Sequence, residues 1–145
     1  MKAIAENRRV RFDYKILEKF DAGIELTGHE VKSIKSGYAN LTGSYVVMRD
    51  DGPRILGMNI SSFQPKNAPA DYDPERTKKL LLTKKEINYL TGKLQENLTL
   101  VPLRLYTKRG LVKIELGLGR GRKKKDKREY LKKREAKREM GEFIK

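Results

Sequence analysis

Hydrogen-bond donors stand close together in three short stretches of the sequence, and such donors suit phosphate oxygens and base edges. The first stretch is ENRRVRF at residues 6–12. Its Asn7, Arg8 and Arg9 can donate both to phosphates and to the edges of unpaired bases. The same residues also fit an exposed basic beginning of the first strand, and the sequence favours neither interpretation.

The second stretch is HEVKSIKSG at residues 29–37. Its hydrophobic spacing predicts one or two helical turns, so that Lys32, Ser33 and Lys35 can donate to phosphates near a helix end. Glu30 does not fit this pattern, because a carboxylate repels phosphate unless it accepts from a base amine or pairs with a cation. A local salt bridge is the simpler interpretation of Glu30.

The third stretch is DPERTKKLLL at residues 73–82. The pair Asp-Pro predicts a turn, and we expect Arg76 and Lys78 to lie at the beginning of the helix that follows. An exposed Leu81 could pack on an unstacked base. An ordinary helix entry with a core leucine is the simpler alternative.

The carboxy-terminal segment carries the densest charge in the chain. Residues 120–145 hold 13 basic and 5 acidic side chains. Gly119 precedes this segment and Gly121 lies within it, and we interpret both as flexible positions between the body and the tail. Repulsion and the shortage of apolar residues predict that this tail is disordered when free. It is rich in helix formers and can become a helix on a polyanion. A tail that serves only solubility is the alternative interpretation.

Composition restricts the partners and the chemistry. The chain has 34 Lys and Arg against 19 Asp and Glu, a net charge of +15 that favours a phosphate backbone or an anionic membrane as partner. It has no cysteine, and His29 is the single histidine. We therefore expect no metal, no cofactor and no enzymatic activity, since no catalytic signature is present either. A nuclease that uses Asp21, Glu30 and a divalent metal is a remote alternative.

Hydropathy argues against a membrane location. The first residues contain no apolar run typical of a signal peptide, and no stretch approaches the roughly 20 apolar residues that span a bilayer. We expect a soluble, cytoplasmic protein with no membrane partner.

Periodicity predicts a mainly β protein with short helices. Residues 12–63 are typical of strands with one helical interruption, and Gly23 predicts a bulge or bend in the first of them. Residues 65–77 predict a loop. Thr83 and Glu86 form the pattern of a capping box at the start of the clearest helix. Two hairpins are predicted, over residues 40–61 and 98–119. Because five or six antiparallel strands would leave exposed edges, we expect a closed barrel, with a sandwich as the alternative.

Several of these stretches together resemble one known family. NRRVRFDYKILEKFDAGIELTGHEVKSIKSGYANL, SYV, DPERTKKLLL, TLVPLRLY and KIELGLGRGRKKKDKRE follow in the order typical of small protein B (SmpB), the SsrA-binding protein family of bacteria. The resemblance runs from about Asn7 to Arg128. It implies an oligonucleotide-binding (OB) type barrel over residues 1–119 and a basic tail over residues 120–145.

The resemblance also implies a function. Members of the family are RNA-binding adaptors without enzymatic activity. They bind the tRNA-like domain of transfer-messenger RNA (tmRNA) and deliver it, with the elongation factor that carries aminoacyl-tRNA, to stalled ribosomes for trans-translation. The tail is implied to become helical in the empty mRNA channel of the small subunit. A general structured-RNA-binding or ribosome-associated protein remains the alternative.

The predicted site residues combine the three stretches with the family pattern. The RNA-binding set is Asn7, Arg8, Arg9, Asp21, Gly23, Glu30, Lys32, Ser33, Lys35, Arg76, Lys78 and Leu81. The ribosome-binding set is Gly121, Lys123, Lys124, Lys125, Asp126, Lys127 and Arg128. Lys125 stands where many relatives have a histidine or tyrosine, so a ring stacked on a base is not available at that position.

Overall fold

The computed structural model describes residues 2–64, 66 and 68–144, with side chains from residue 3 to residue 138 within those ranges. The strands are β1 (Lys2–Glu6), β2 (Tyr14–Ile24), β3 (Ala39–Asn40), β4 (Tyr45–Arg49), β5 (Gly52–Leu56), β6 (Asn59–Ile60), β7 (Lys78–Leu81), β8 (Thr99–Lys108) and β9 (Leu111–Gly121). The helices are α1 (Arg8–Asp13), α2 (Gly28–Lys35), α3 (Lys84–Leu94) and α4 (Lys124–Ile144). The chain is mainly β with short helices, as predicted, apart from the long helix α4.

Seven strands form one antiparallel sheet in the order β1-β8-β9-β2-β7-β5-β4, and β3 pairs with β6 separately. The sheet is open, so the expectation of a closed barrel is not met. Strand β4 lies against β8 without pairing to it. The free edge of β8 is taken by β1, which pairs with residues 104–107, and β4 and β1 remain the two ends of the sheet order.

The hairpin β8–β9 and its alternation agree with the sequence. On β9 the side chains of Val112, Ile114, Leu116 and Leu118 face the core and are at most 9% exposed. These four side chains therefore form one wall of the core. Pro102 precedes a shift in the register of β8 against β9.

Helix boundaries follow local capping. At α3, the Thr83 side chain accepts from the Glu86 N–H while the Glu86 carboxylate accepts from the Thr83 N–H, which is the predicted capping box. This cap begins the helix at Lys84, so the prediction that Arg76 and Lys78 open the helix is wrong. Lys78 lies in β7, which pairs with both β2 and β5.

The predicted strand beginning at residue 12 is also corrected. Residues 8–13 form α1, and the strand begins at Tyr14. The bulge predicted at Gly23 lies instead between Ile16 and Glu18. Gly23 has a different role, because a Cβ built there would stand 3.2 Å from the Cβ of Leu81 on the neighbouring strand.

The loop predicted over residues 65–77 joins β6 to β7, and its described residues belong to no strand or α-helix. Residues 65 and 67 lie outside the described part of the chain.

The glycines before the tail are strand residues. Gly119 pairs with Ile16 and Gly121 with Tyr14, so the interpretation of both as flexible positions is wrong. A Cβ at Gly119 would lie 2.8 Å from the carbonyl oxygen of Lys15. Glycine is required there because the two backbones approach too closely for a side chain. Strand β9 therefore runs to Gly121, two residues past the proposed domain boundary, which stays a prediction.

Candidate RNA interface

Glu30 is the centre of a buried ionic cluster between α2 and β7. Its side chain is 2% exposed. Arg76 Nη2 donates to Glu30 Oε1 at 2.6 Å and Arg76 Nε donates to Oε2 at 3.2 Å. Lys78 Nζ lies 3.9 Å from Oε2 and is itself fully buried. The geometry agrees with the salt-bridge interpretation of Glu30.

The same carboxylate caps α2. The Thr27 N–H donates to Glu30 Oε1 at 2.8 Å, and the Glu30 N–H donates to the Thr27 hydroxyl at 3.2 Å. Burial alone would raise the pKa of Glu30, but the hydrogen bonds from Arg76 and Thr27 and the positive charges of Arg76 and Lys78 hold that pKa below its ordinary value. Burial lowers the pKa of Lys78, and the charge of Glu30 opposes that effect.

Three further residues predicted to bind RNA also point into the protein. Asn7 is 4% exposed and its Nδ2 donates to the Leu41 carbonyl at 3.4 Å. Ser33 is fully buried and its hydroxyl accepts from the Phe63 N–H at 3.2 Å. Lys78 donates to the Arg76 carbonyl at 2.6 Å. Each of these side chains lies below the exposed surface and stabilises it through a hydrogen bond to the backbone.

Four members of the predicted set are exposed on α2 and near β7. Lys32 is exposed on α2, and the side chain of Arg76, in the ionic cluster, is 42% exposed. Leu81 is 47% exposed and stands over Gly23. Lys35 is exposed, but its ammonium donates to the Gly110 carbonyl at 2.8 Å. Lys32 and Leu81 are therefore free to meet a partner, whereas Lys35 and Arg76 already donate to oxygens of the protein.

Asp21 is exposed on β2 and accepts from the Tyr106 hydroxyl at 2.7 Å. Tyr106 is 1% exposed. Its burial, together with the hydrogen bond to Asp21, raises the pKa of Tyr106 to about 12. Asp21 thus accepts the hydrogen bond of a buried hydroxyl. In the described part of the chain, no group of three acidic or histidine side chains is placed to hold a metal ion.

Arg8 and Arg9 lie away from Leu81, at the other end of β2. Both are exposed on α1, and α1 contacts α4 at the beginning of the tail. The sequence grouped these arginines with the α2 and β7 residues. The structure instead places them beside the predicted ribosome-binding segment.

The residues of that segment are exposed with one exception. Gly121 ends β9, and Lys123, Lys124, Lys125, Asp126 and Arg128 face solvent. Lys127 is half-buried, with Nζ 3.4 Å from Asp13 Oδ1. The cations of the tail thus face solvent, while the root of α4, its first turns including Lys127, contacts the body.

A cleft of about 520 Å³ beside this root was not predicted. Lys15 and Leu17 of β2 form one wall, and Tyr130 and Lys133 of α4 form the other. Arg120 and Arg122 add two cations to its lining, and Asp126 and Glu129 add two carboxylates. The alternation of Lys15 and Leu17 places both on one face of β2, but only the folded chain brings α4 opposite them.

Comparison with family models shows the family to which the chain belongs. Residues 4–145 match the model described as SmpB protein. The chain belongs to the SmpB family. This SmpB-family chain is 47% identical over 145 residues to the SsrA-binding protein of Nostoc sp., with 99% of this chain and 94% of the relative covered.

A second relative and a solved structure support the same family. The SsrA-binding protein of Microcystis aeruginosa is 46% identical over 146 residues, covering 100% of this chain and 95% of the relative. A chain of a solved structure described as "tmRNA-SmpB: a journey to the center of the bacterial ribosome" superposes with a TM-score of 0.67 at 43% identity. That match covers 87% of this chain and 92% of the other.

None of the helices in the described ranges is long and apolar enough to cross a membrane.

Proposed function

We propose that this SmpB-family chain is an RNA-binding adaptor of trans-translation. It binds the tRNA-like domain of tmRNA with the face around Leu81, and its tail contacts the stalled ribosome, chiefly the small subunit. The relatives named SsrA-binding protein and the tmRNA–SmpB ribosome structure support this assignment. The protein acts by binding alone and makes or breaks no bond.

The path of β2 is the observation that carries the proposal. Gly23 pairs with Leu81 near one end of this strand, and Tyr14 pairs with Gly121, just before the tail, at the other. Nine residue steps at about 3.3 Å separate the two points by roughly 30 Å. One strand therefore keeps two cationic surfaces far enough apart to hold two different RNAs.

The tail suits a long, narrow polyanionic site. Helix α4 has 21 residues, a length of roughly 30 Å at about 1.5 Å per residue, and its described cations beyond Lys127 are exposed. Binding releases counterions from the RNA, so affinity falls steeply with salt. We infer that the tail is helical in the empty mRNA channel, as α4 is here. Disorder of the free tail stays a prediction.

The proposal also covers the type of barrel, an indirect partner and the site of action. The body is of OB type, and its sheet closes no further than β4 lying against β8. The elongation factor that carries aminoacyl-tRNA is an indirect partner, which joins through the RNA. A ribosomal partner implies a cytoplasmic site of action.

Truncation after Gly121 tests the division of labour. The truncated chain should bind the isolated tRNA-like domain with nearly the affinity of the full chain and should fail to support peptide tagging on stalled ribosomes. A control chain with residues 129–145 shuffled keeps the charge and separates electrostatic attraction from the order of the residues. Loss of RNA binding on truncation would overturn the assignment of the two surfaces.

A general structured-RNA-binding protein is the second candidate, favoured by the basic excess in both body and tail. It predicts similar affinities for tmRNA and for an ordinary tRNA. Competition between the two RNAs at matched salt distinguishes the candidates, because the adaptor must prefer the tRNA-like domain.

A further inference from the structure

The root of α4 is held by the last two residues of α1. The Arg122 N–H donates to the Asp13 carbonyl at 2.8 Å. The carboxylate of Asp13 divides between two cations, with Oδ1 3.4 Å from Lys127 Nζ and Oδ2 3.3 Å from Arg9 Nε. Asp13 therefore ties α1 to the tail through both its backbone and its side chain.

Two rings and three cations lie close together at this contact, and Arg9 Cζ is 5.1 Å from the centre of the Phe12 ring. The ring centroids of Phe12 and Tyr130 are 6.5 Å apart. Arg122 Cζ lies 4.4 Å from the centre of the Tyr130 ring, and Lys127 Nζ lies 5.4 Å from that of Phe12. Aromatic pairs and cations over ring faces at such distances are attractive, so the contact does not depend on the ion pair alone.

The beginning of α4 also carries its own cap. The Lys123 N–H donates to Asp126 Oδ2 at 3.3 Å, and the Lys127 N–H donates to the Lys123 carbonyl at 3.0 Å. A capped first turn docked on the body lowers the cost of nucleating a helix, which is otherwise the unfavourable step.

We propose that Phe12 and Asp13 form a socket that positions the root of α4 in the protein before RNA is bound, and so sets the direction in which the cationic tail leaves the body. This inference rests on the proposed function for its consequence but not for its structural test. Phe12 and Asp13 are positioning residues that act through Lys127, Tyr130 and Arg122. Salt weakens the ion pair, since both partners are about one-third exposed, while the ring contacts persist.

Distances between spin labels in the free protein test the socket. The chain has no cysteine, so Lys19→Cys on β2 and Lys132→Cys on α4 provide a unique pair of labelling sites. The parent should give a narrow distance distribution. Phe12→Ala with Asp13→Asn should broaden it, and amide exchange at residues 127–131 should quicken at least about threefold.

Two further variants keep the test independent of damage to the body. Tyr130→Ala removes the tail side of the socket and should broaden the distribution equally. Lys124→Gln removes a neighbouring exposed cation that has no ion pair among the described residues, and it should leave the distribution narrow. A broad distribution in the parent, or one unchanged by Tyr130→Ala and the double substitution, overturns the socket.

The consequence is measured separately. With the socket removed, peptide tagging should fall several-fold while affinity for the isolated tRNA-like domain stays within about twofold. Unchanged tagging would overturn the role of the socket in directing the tail. Failure of the parent chain itself to bind the tRNA-like domain would instead overturn the proposed function, and the label distances would still decide the socket.

Discussion

Arg76 and Glu30, which are 46 residues apart in sequence, form a two-point hydrogen-bonded ion pair, with Nη2–Oε1 at 2.6 Å and Nε–Oε2 at 3.2 Å. The pair fastens the segment before β7 to the first turn of α2. Since Arg76 also donates to the Glu25 carbonyl at 3.2 Å, one guanidinium joins three segments of the proposed RNA-binding face. The acidic residue on this basic surface thus supports its shape from within.

Glu30→Gln should destabilise the protein by about 3 kcal/mol. The substitution leaves the fully buried Lys78 without a nearby carboxylate, and breaking one side of a buried charge cluster typically costs about 3–5 kcal/mol. Urea unfolding followed by circular dichroism measures the change. Glu96→Gln is the control, because its ion pair with Lys93 is largely exposed and its loss should leave the urea midpoint nearly unmoved.

The stability contributed by Glu30 should disappear at acid pH. The folded pKa of Glu30 is below the ordinary value of 4.5, so the unfolded chain binds more protons between the two pKa values. The contribution is therefore complete above about pH 5 and falls as the pH drops through the folded pKa. Unfolding free energies of the parent and of Glu30→Gln should converge as the pH falls below 4. A difference that stays constant from pH 7 to pH 3 would contradict the assigned charge state.

Local rules explain one half of the bonding at Glu30, although the sequence was not interpreted that way, and they cannot explain the other half. The T-x-x-E spacing that gives the capping box at Thr83 and Glu86 recurs at Thr27 and Glu30, and this explains the bond to the Thr27 N–H. The bonds from Arg76 depend on the pairing of β7 with β2, which no short-range pattern reveals.

The open sheet and the short helix α1 have a similar explanation. Alternation predicts which residues of β9 face the core. On β8 it fails at Leu103, which packs with Val10 and Val101 in a second cluster, and it does not reveal that β1 covers the edge of β8. Residues 8–13 are too few for a helical period to stand out. The family resemblance gave the membership that the comparisons confirm, while the burial of Asn7, Ser33 and Lys78 required the folded chain.

Gly119→Ala should destabilise the protein by about 2 kcal/mol. The new Cβ would lie 2.8 Å from the Lys15 carbonyl oxygen, so β2 and β9 must separate, and such overpacking typically costs about 1–3 kcal/mol. Thermal unfolding measures the effect. Gly92→Ala is the matched control, since its Cβ meets nothing within 4 Å in helix α3, and it should stabilise by about 0.5–1 kcal/mol. Equal effects of the two substitutions would refute the close backbone contact.

Leu81→Ala should weaken binding of the tRNA-like domain roughly tenfold with little loss of stability. The side chain is 47% exposed and stands at the proposed interface, where losing its buried carbons costs about 1–2 kcal/mol of contact. Filter binding at fixed salt measures the affinity. Leu111→Ala is the control, because Leu111 is 64% exposed at the tip of the β8–β9 hairpin, outside the proposed face. A loss of similar size for Leu111 would mean that the face lies elsewhere.

Lys32 and Lys35 should differ in the salt dependence of RNA binding although they lie on the same helix. Lys32 is exposed and can reach a phosphate, so Lys32→Gln should reduce the slope of log K against log salt by about 1. Lys35 already donates to the Gly110 carbonyl, so Lys35→Gln should leave the slope nearly unchanged. Titrations of the tRNA-like domain at several salt concentrations give both slopes. If the two substitutions lower the slope equally, the hydrogen bond to Gly110 does not withhold Lys35 from the RNA. If neither substitution lowers the slope, α2 makes no phosphate contact.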